Sequence, residues 1–330
     1  MKEISGFPDR RSFLWESKQF ESFLSVALVG EIYYIFFFRR AILESPDGLL
    51  KGFAVEIKMY AMKKSRIKAE GDWALILGAS SGFGAATAKE LAKNGFNIFG
   101  VHLDRKATMK NVEEIVDFIK STGKEAVFFN VNAADDKKRA KVMDEIEAII
   151  KSQDDNPQVR VLLHSLAFGT LKKFIGEDRI NPTQLMMTLE VMANTLVYWT
   201  QDLVERGLMR RGGRIFAMTS SGSQKVMSYY GAVSAAKCAL ESHIRQLALE
   251  LAPLGITANA IRAGVTDTPA LRKIPGHEKI IELVLKVNPS GRLTTPEDVA
   301  RAIAVLTHPD LYWMTGNVIN VDGGENISGI

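Results

Sequence analysis

The chain has 330 residues, with 42 Lys and Arg against 38 Asp and Glu, a formal net charge of +4 and 46% apolar content. This is a globular balance, which excludes a disordered, collagen-like or polytopic membrane chain. The single cysteine, Cys238, excludes an intramolecular disulfide and a cysteine-based zinc site, and it points to a reducing, cytoplasmic compartment.

The charge is uneven. Residues 1–70 hold 12 basic and 9 acidic residues and 12 of the 28 aromatics. The remainder is nearly neutral, so no basic face stands out as a nucleic-acid footprint. Residues 1–70 therefore read as an N-terminal extension and 71–330 as the main domain. The most apolar run, Phe23 to Phe38, is followed by Arg39 and Arg40 and carries Glu31. It is shorter than the roughly 20 residues a spanning helix needs. It also lies too deep for a secretory signal and lacks a small-residue cleavage site. A helix buried against the main domain or another subunit is the favoured reading, ahead of membrane-surface contact through residues 23–40. A third reading starts translation at Met59 or Met62 and makes the extension non-native.

From Asp72 onward, strand-length apolar runs at 74–77, 96–101, 125–131, 159–165, 214–220, 257–262 and 317–321 alternate with helical spacing. The helical segments are 84–94, 107–122, 136–152, 182–206, 230–251 and 296–306. Such alternation predicts parallel pairing through right-handed crossovers, hence a single-domain α/β doubly wound sheet. Residues 265–290, with Pro269, Pro275 and Gly276, read as a loop with short helices, a candidate substrate lid.

The first strand runs into Gly78-Ala-Ser80-Ser81-Gly82-Phe83-Gly84 and then a helix. Glycines allow a tight turn and close backbone approach to a pyrophosphate, and the helix start offers free amides and a positive dipole end. The Gly-x-x-x-Gly-x-Gly spacing between strand and helix resembles the short-chain dehydrogenase/reductase family over residues 72–325. The resemblance implies a nicotinamide dinucleotide on one Rossmann domain, usually in a homotetramer. Asp104, near the end of the second strand, would accept from ribose hydroxyls, whereas Arg105 and Lys106 would suit a 2′-phosphate. Ser81 replaces the basic residue that NADP-using relatives often carry. The balance tips slightly to NADH within NAD(P)H. By the same resemblance Asn130 and Val131 hold the adenine, Ser165 and Ala167 end the fourth strand beside the cofactor, and Thr266 and Thr268 contact the nicotinamide carboxamide.

The family generally has Tyr-x-x-x-Lys on the long helix, but the position four before Lys237 is Val233. At about 100° per residue, Tyr230 falls within roughly 20° of Lys237 and Tyr229 about 80° away. Tyr230 and Lys237 make Tyr-x6-Lys, which resembles the enoyl-acyl-carrier-protein reductases. The segments LLHSLAFG and Ala263-Gly264-Val265-Thr266-Asp267-Thr268 agree with that branch. Another tyrosine of its better-known NADH-using members is here Ser220. The resemblance implies reduction of trans-2-enoyl thioesters on acyl carrier protein or coenzyme A in fatty-acid synthesis. Tyr230 is assigned as donor to the thioester oxygen, Lys237 as its cationic neighbour and ribose anchor, and Ser220 as a second hydroxyl. The alternatives are a 3-oxoacyl or other carbonyl reductase and a non-catalytic cofactor-binding protein. The five histidines lack metal-ligand spacing, so no metal is expected. Cys238 reads as a small buried apolar residue.

Overall fold

Seven runs rich in Val, Ile, Leu and Phe extend as strands: β1 Trp73–Leu77, β2 Asn97–His102, β3 Ala126–Asn130, β4 Val159–His164, β5 Arg214–Thr219, β6 Thr257–Ala263 and β7 Val318–Val321. The computed structural model describes residues 71–328. The readings for the N-terminal extension, including residues 23–40, Met59 and Met62, lie outside the described residues.

The strands form one sheet in the order β3-β2-β1-β4-β5-β6-β7, every neighbouring pair parallel. Building outward from β1 in one direction and from β4 in the other leaves a switch point between them. The carboxyl ends of the strands at such a point are the usual ligand position in sheets of this kind.

The helices are α1 Gly82–Lys93, α2 Met109–Ser121, α3 Asp136–Lys151, α4 Pro182–Leu189, α5 Thr195–Glu205, α6 Gly231–Leu251, α7 His277–Val287 and α8 Pro296–Leu306. Caps fix several starts. Asn181 with Gln184 and Thr295 with Asp298 form capping boxes, each followed by proline in the first turn. The expected helix over 182–206 is interrupted by a π turn at Glu190–Asn194. There Thr195 Oγ1 donates to the Val191 carbonyl at 2.9 Å and also lies 2.8 Å from His164 Nε2. Such side-chain insertion opens a helical ladder locally.

Alternation along β1 divides the core between the two faces of the sheet. Trp73, Leu75 and Leu77 join Leu196, Trp199, Leu240 and Ile244 on one side. Ala74 and Ile76 join Leu91, Ile115 and Ile303 on the other. Both faces being covered explains why the strands read as continuous apolar runs. Among the described residues, no helix is long and apolar enough to cross a membrane.

Candidate active site

The glycine turn lies where β1 meets α1. Gly78 and Ala79 donate backbone N–H bonds to the Val101 carbonyl at 2.8 and 3.1 Å, tying the turn to the end of β2. Gly78 has φ of +90°, and a Cβ there would overlap the Ser165 carbonyl oxygen. A Cβ on Gly84 would overlap the Gly78 carbonyl oxygen. Both sites thus require glycine for close backbone approach. Ser81 occupies the N-cap of α1 in an extended conformation, and its side chain makes no capping bond. The helix start therefore keeps amides that a phosphate can take. Phe83 packs its ring on the sheet core, leaving its backbone at the helix start.

Other expected cofactor residues close around this turn. The Thr268 methyl carbon lies 3.6 Å from where a Gly82 Cβ would stand. Thr266 and Thr268 are both buried; Thr266 Oγ1 donates to the Gly264 carbonyl at 3.0 Å, and Thr268 Oγ1 accepts from the Leu271 amide at 3.2 Å. Ser165 donates its N–H to the Leu77 carbonyl at 2.9 Å, while Ala167, two residues on, is exposed.

The end of β2 presents Asp104. Its Oδ2 lies 3.0 Å from the Nδ1 of buried His102. Asn130 locks the Asp104 backbone from both sides, its Oδ1 accepting from the N–H and its Nδ2 donating to the carbonyl, each at 3.0 Å. Val131 follows, its N–H donating to the His102 carbonyl at 2.8 Å. Partial burial opposes ionisation of the Asp104 carboxyl. Hydrogen bonds from Thr108, Ser80 and His102 outweigh it and hold the group below the usual carboxylate range. Arg105 is exposed. A glycine cradle, uncapped helix amides and an ionised carboxylate at the second strand fit a dinucleotide.

Between the end of β5 and the start of α6, Tyr230 OH and Ser220 Oγ are 3.4 Å apart. Tyr230 immediately precedes α6, with φ −95° and ψ 0°, and Tyr229 has a left-handed φ of +67°. The two tyrosines therefore stand in a turn, and continuing the helical wheel back to them misplaces Tyr229. That reversal sends Tyr229 outward, 37% exposed, with the Lys173 ammonium 5.3 Å from its ring centroid. Tyr230 packs inward near Met192, Val233 and Ala236. A Cβ on Gly222 would strike the Tyr230 ring, so glycine leaves room for the ring. Burial raises the Tyr230 phenol pKa above its ordinary value, with the Ser220 hydrogen bond opposing. Lys237 is buried, and its Nζ donates to the Met218 carbonyl at 2.7 Å. Burial pushes its pKa down to about 8, against a counter-pull from Glu241.

Three groups escaped the sequence reading. Glu241 is buried one turn beyond Lys237, and Arg262 is buried on β6. A second charge, four residues after Lys237 and so on the same helix face, was the available signal for the first. Glu325 also reaches the site, its Oε2 accepting from the Val265 amide at 2.9 Å. No sequence signal marked that contact. Cys238 corrects an expectation: it is exposed, with Sγ donating to the Ser223 carbonyl at 3.2 Å, because the position beside Lys237 turns off the buried helix face. Among the described residues, no group of three or more His, Cys, Asp or Glu could hold a metal ion.

Comparison with known proteins places this geometry. A family model described as enoyl-(acyl carrier protein) reductase matches residues 78–326. The enoyl-[acyl-carrier-protein] reductase [NADH] FabI of Aquifex aeolicus is 33% identical over 172 residues, 52% of this chain and 63% of that protein. Its crystal structure superposes with a TM-score of 0.67 at 28% identity, covering 79% of this chain and 99% of that one. The 3-oxoacyl-[acyl-carrier-protein] reductase FabG of Vibrio cholerae is 26% identical over 77% of this chain and 97% of its own length.

Proposed function

The chain belongs to the short-chain dehydrogenase/reductase family, in the enoyl-(acyl carrier protein) reductase group, and on that premise we propose that this oxidoreductase reduces the trans-2 double bond of enoyl thioesters with NAD(P)H, preferring NADH. The observation that carries the reading is the hydroxyl pair of Tyr230 and Ser220 beside the buried lysine face, with Val233 in the place of the usual tyrosine. The acyl carrier is acyl carrier protein or coenzyme A, the assembly a homotetramer, and the single cysteine supports a cytoplasmic setting.

When bound, the nicotinamide supplies a hydride to the β-carbon of the enoyl group. Negative charge then develops on the thioester oxygen, three bonds from that carbon. Tyr230 is the donor assigned to that oxygen. Its raised pKa keeps the hydroxyl protonated at neutral pH. A preorganised donor of this kind is worth about 3 kcal/mol in the transition state. Lys237, cationic at neutral pH with a pKa of about 8, favours proton donation and anchors the ribose. Ser220 offers the second hydroxyl. Gly78, Ser80, Ser81, Gly82, Phe83 and Gly84 hold the pyrophosphate, Asp104 the ribose hydroxyls, and Arg105 borders the site. Asn130 and Val131 line the adenine; Ser165, Ala167, Thr266 and Thr268 line the nicotinamide side.

Carbonyl reduction of 3-oxoacyl thioesters is the second reading, supported by the Vibrio relative that matches over 97% of its length. Steady-state rates on crotonyl and acetoacetyl thioesters, each with NADH and NADPH, separate the two. Enoyl reduction predicts a crotonyl rate at least about tenfold higher, a difference of about 1.4 kcal/mol. Equal or reversed rates overturn it. Nucleotide binding without turnover of any thioester would mark a non-catalytic protein.

A further inference from the structure

The inner face of α6 buries two charges, Lys237 and, one turn later, Glu241. Glu241 Oε1 accepts from Thr219 Oγ1 at 2.7 Å and from Arg262 Nη2 at 3.2 Å. It thereby joins α6 to the last residue of β5 and to β6. Arg262 reaches onward, Nη1 donating to Gln224 Oε1 at 2.9 Å and Nη2 to Ser223 Oγ at 3.3 Å. Ser223 Oγ in turn donates to the Ser220 carbonyl at 3.0 Å, and the Ser220 hydroxyl meets Tyr230. A continuous polar chain thus runs from beneath the lysine to the hydroxyl pair. A buried ion pair is weak evidence for stability, since well-packed apolar residues often serve as well. A role at the neighbouring site accounts better for its presence.

We propose that Glu241 and Arg262 are positioning residues of the reductase centre: Glu241 keeps Lys237 cationic, and Arg262 fixes the turn that presents Ser220 to Tyr230. The inference rests on the reading of Lys237, Tyr230 and Ser220 as the reacting constellation. Lys237 has one carbonyl partner and little water, so its charge depends on the field around it. Of the titratable groups near it, Tyr230 before α6 is neutral and His164 at the end of β4 is held neutral, its pKa lowered to about 3. Arg262 on β6 is a like charge, which Glu241 offsets. Glu241 alone of these is an anion.

Isotope-labelled lysine NMR of the cofactor-free protein tests this directly, with the Lys237 resonance assigned by its loss in Lys237→Met. The wild-type lysine is expected to titrate near 8. Glu241→Gln keeps the hydrogen-bonding shape and drops the charge, and should lower that value by at least about one unit. Arg262→Gln leaves the Glu241 charge without its cationic partner and should raise it. The alkaline limb of the crotonyl-thioester rate should shift with the NMR value in each variant. Arg262→Gln should also lower kcat about tenfold with KM little changed, and Arg262→Lys should recover part of the loss. A lysine titration unmoved in the folded variants, or moved in the same direction by both, overturns the proposal. Should one variant fail to fold, the other decides alone. Opposite shifts in a protein that turns over no thioester would uphold the charge coupling while sinking the reductase reading.

Discussion

Tyr230 is the residue whose removal should separate chemistry from binding. Its hydroxyl stands 3.4 Å from Ser220 Oγ, and the glycine turn assigned to the pyrophosphate belongs to a different element, the start of α1. Tyr230→Phe keeps the ring over Gly222 and deletes the donor alone. A crotonyl-thioester kcat lower by about a hundredfold to a thousandfold is expected, the usual cost of losing one oxyanion donor, with NADH affinity within about twofold. Undiminished turnover would refute the assignment. Asp104 should govern nucleotide choice. An ionised carboxylate repels a 2′-phosphate, and the Asp104 carboxyl is held ionised by His102, Ser80 and Thr108. Asp104→Ser is therefore expected to raise the NADPH to NADH affinity ratio by at least about tenfold, equivalent to 1.4 kcal/mol. Fluorescence titration with both nucleotides reads the ratio, and an unchanged value would count against the carboxylate as the selector.

The turn between β1 and α1 shows at the element scale why glycine spacing was informative. Gly84 is the third residue of the helix, where a Cβ would meet the Gly78 carbonyl oxygen. Backbone cannot swing aside as a flexible side chain does. Gly84→Ala should cost about 1 to 3 kcal/mol of stability, the range for overpacked sites, and weaken dinucleotide binding more than tenfold. Chemical denaturation and nucleotide titration measure the two effects; a neutral substitution would show that the turn has slack. The strands were legible because both faces of a parallel sheet are buried, and the resulting apolar runs coincide with the seven strands to within a residue or two. The α6 start was less so. Helical periodicity says nothing about a left-handed residue, and Tyr229 with φ of +67° decides where both tyrosines point. The polar chain through Glu241 and Arg262 joins residues 38 or more apart from the Ser220 turn to β6, a tertiary contact that spacing does not encode.

At the scale of the whole molecule, burial of neutral histidine makes folding sensitive to mild acid. His164 is fully enclosed at the end of β4, its Nε2 against Thr195 and its Nδ1 without a hydrogen-bond partner. Burial, then the nearby Lys237 charge, lower its pKa from 6.5 to about 3. His243 is shifted the same way by burial. The unfolded chain therefore binds protons near pH 6.5 that the folded protein refuses. Stability should fall as pH drops below that value, by up to about 1.4 kcal/mol per pH unit for each such histidine. Two of the carboxylates held low, Asp104 and Asp298, act in a separate window. Their folded pKa lies below the ordinary 3.8, so their contribution is lost only as pH falls through that range. Between pH 4.5 and 6.5 the two histidines give a slope of this sign, opposed by Glu325, whose carboxyl burial raises above its ordinary value. His164→Asn is expected to reduce the proton uptake on unfolding in that window by up to about one proton, whatever it does to absolute stability. Urea denaturation at half-unit pH steps gives the slope for both proteins. Equal slopes would show that His164 takes up its proton in the folded state, and the sealed environment assigned to the end of β4 would then be wrong.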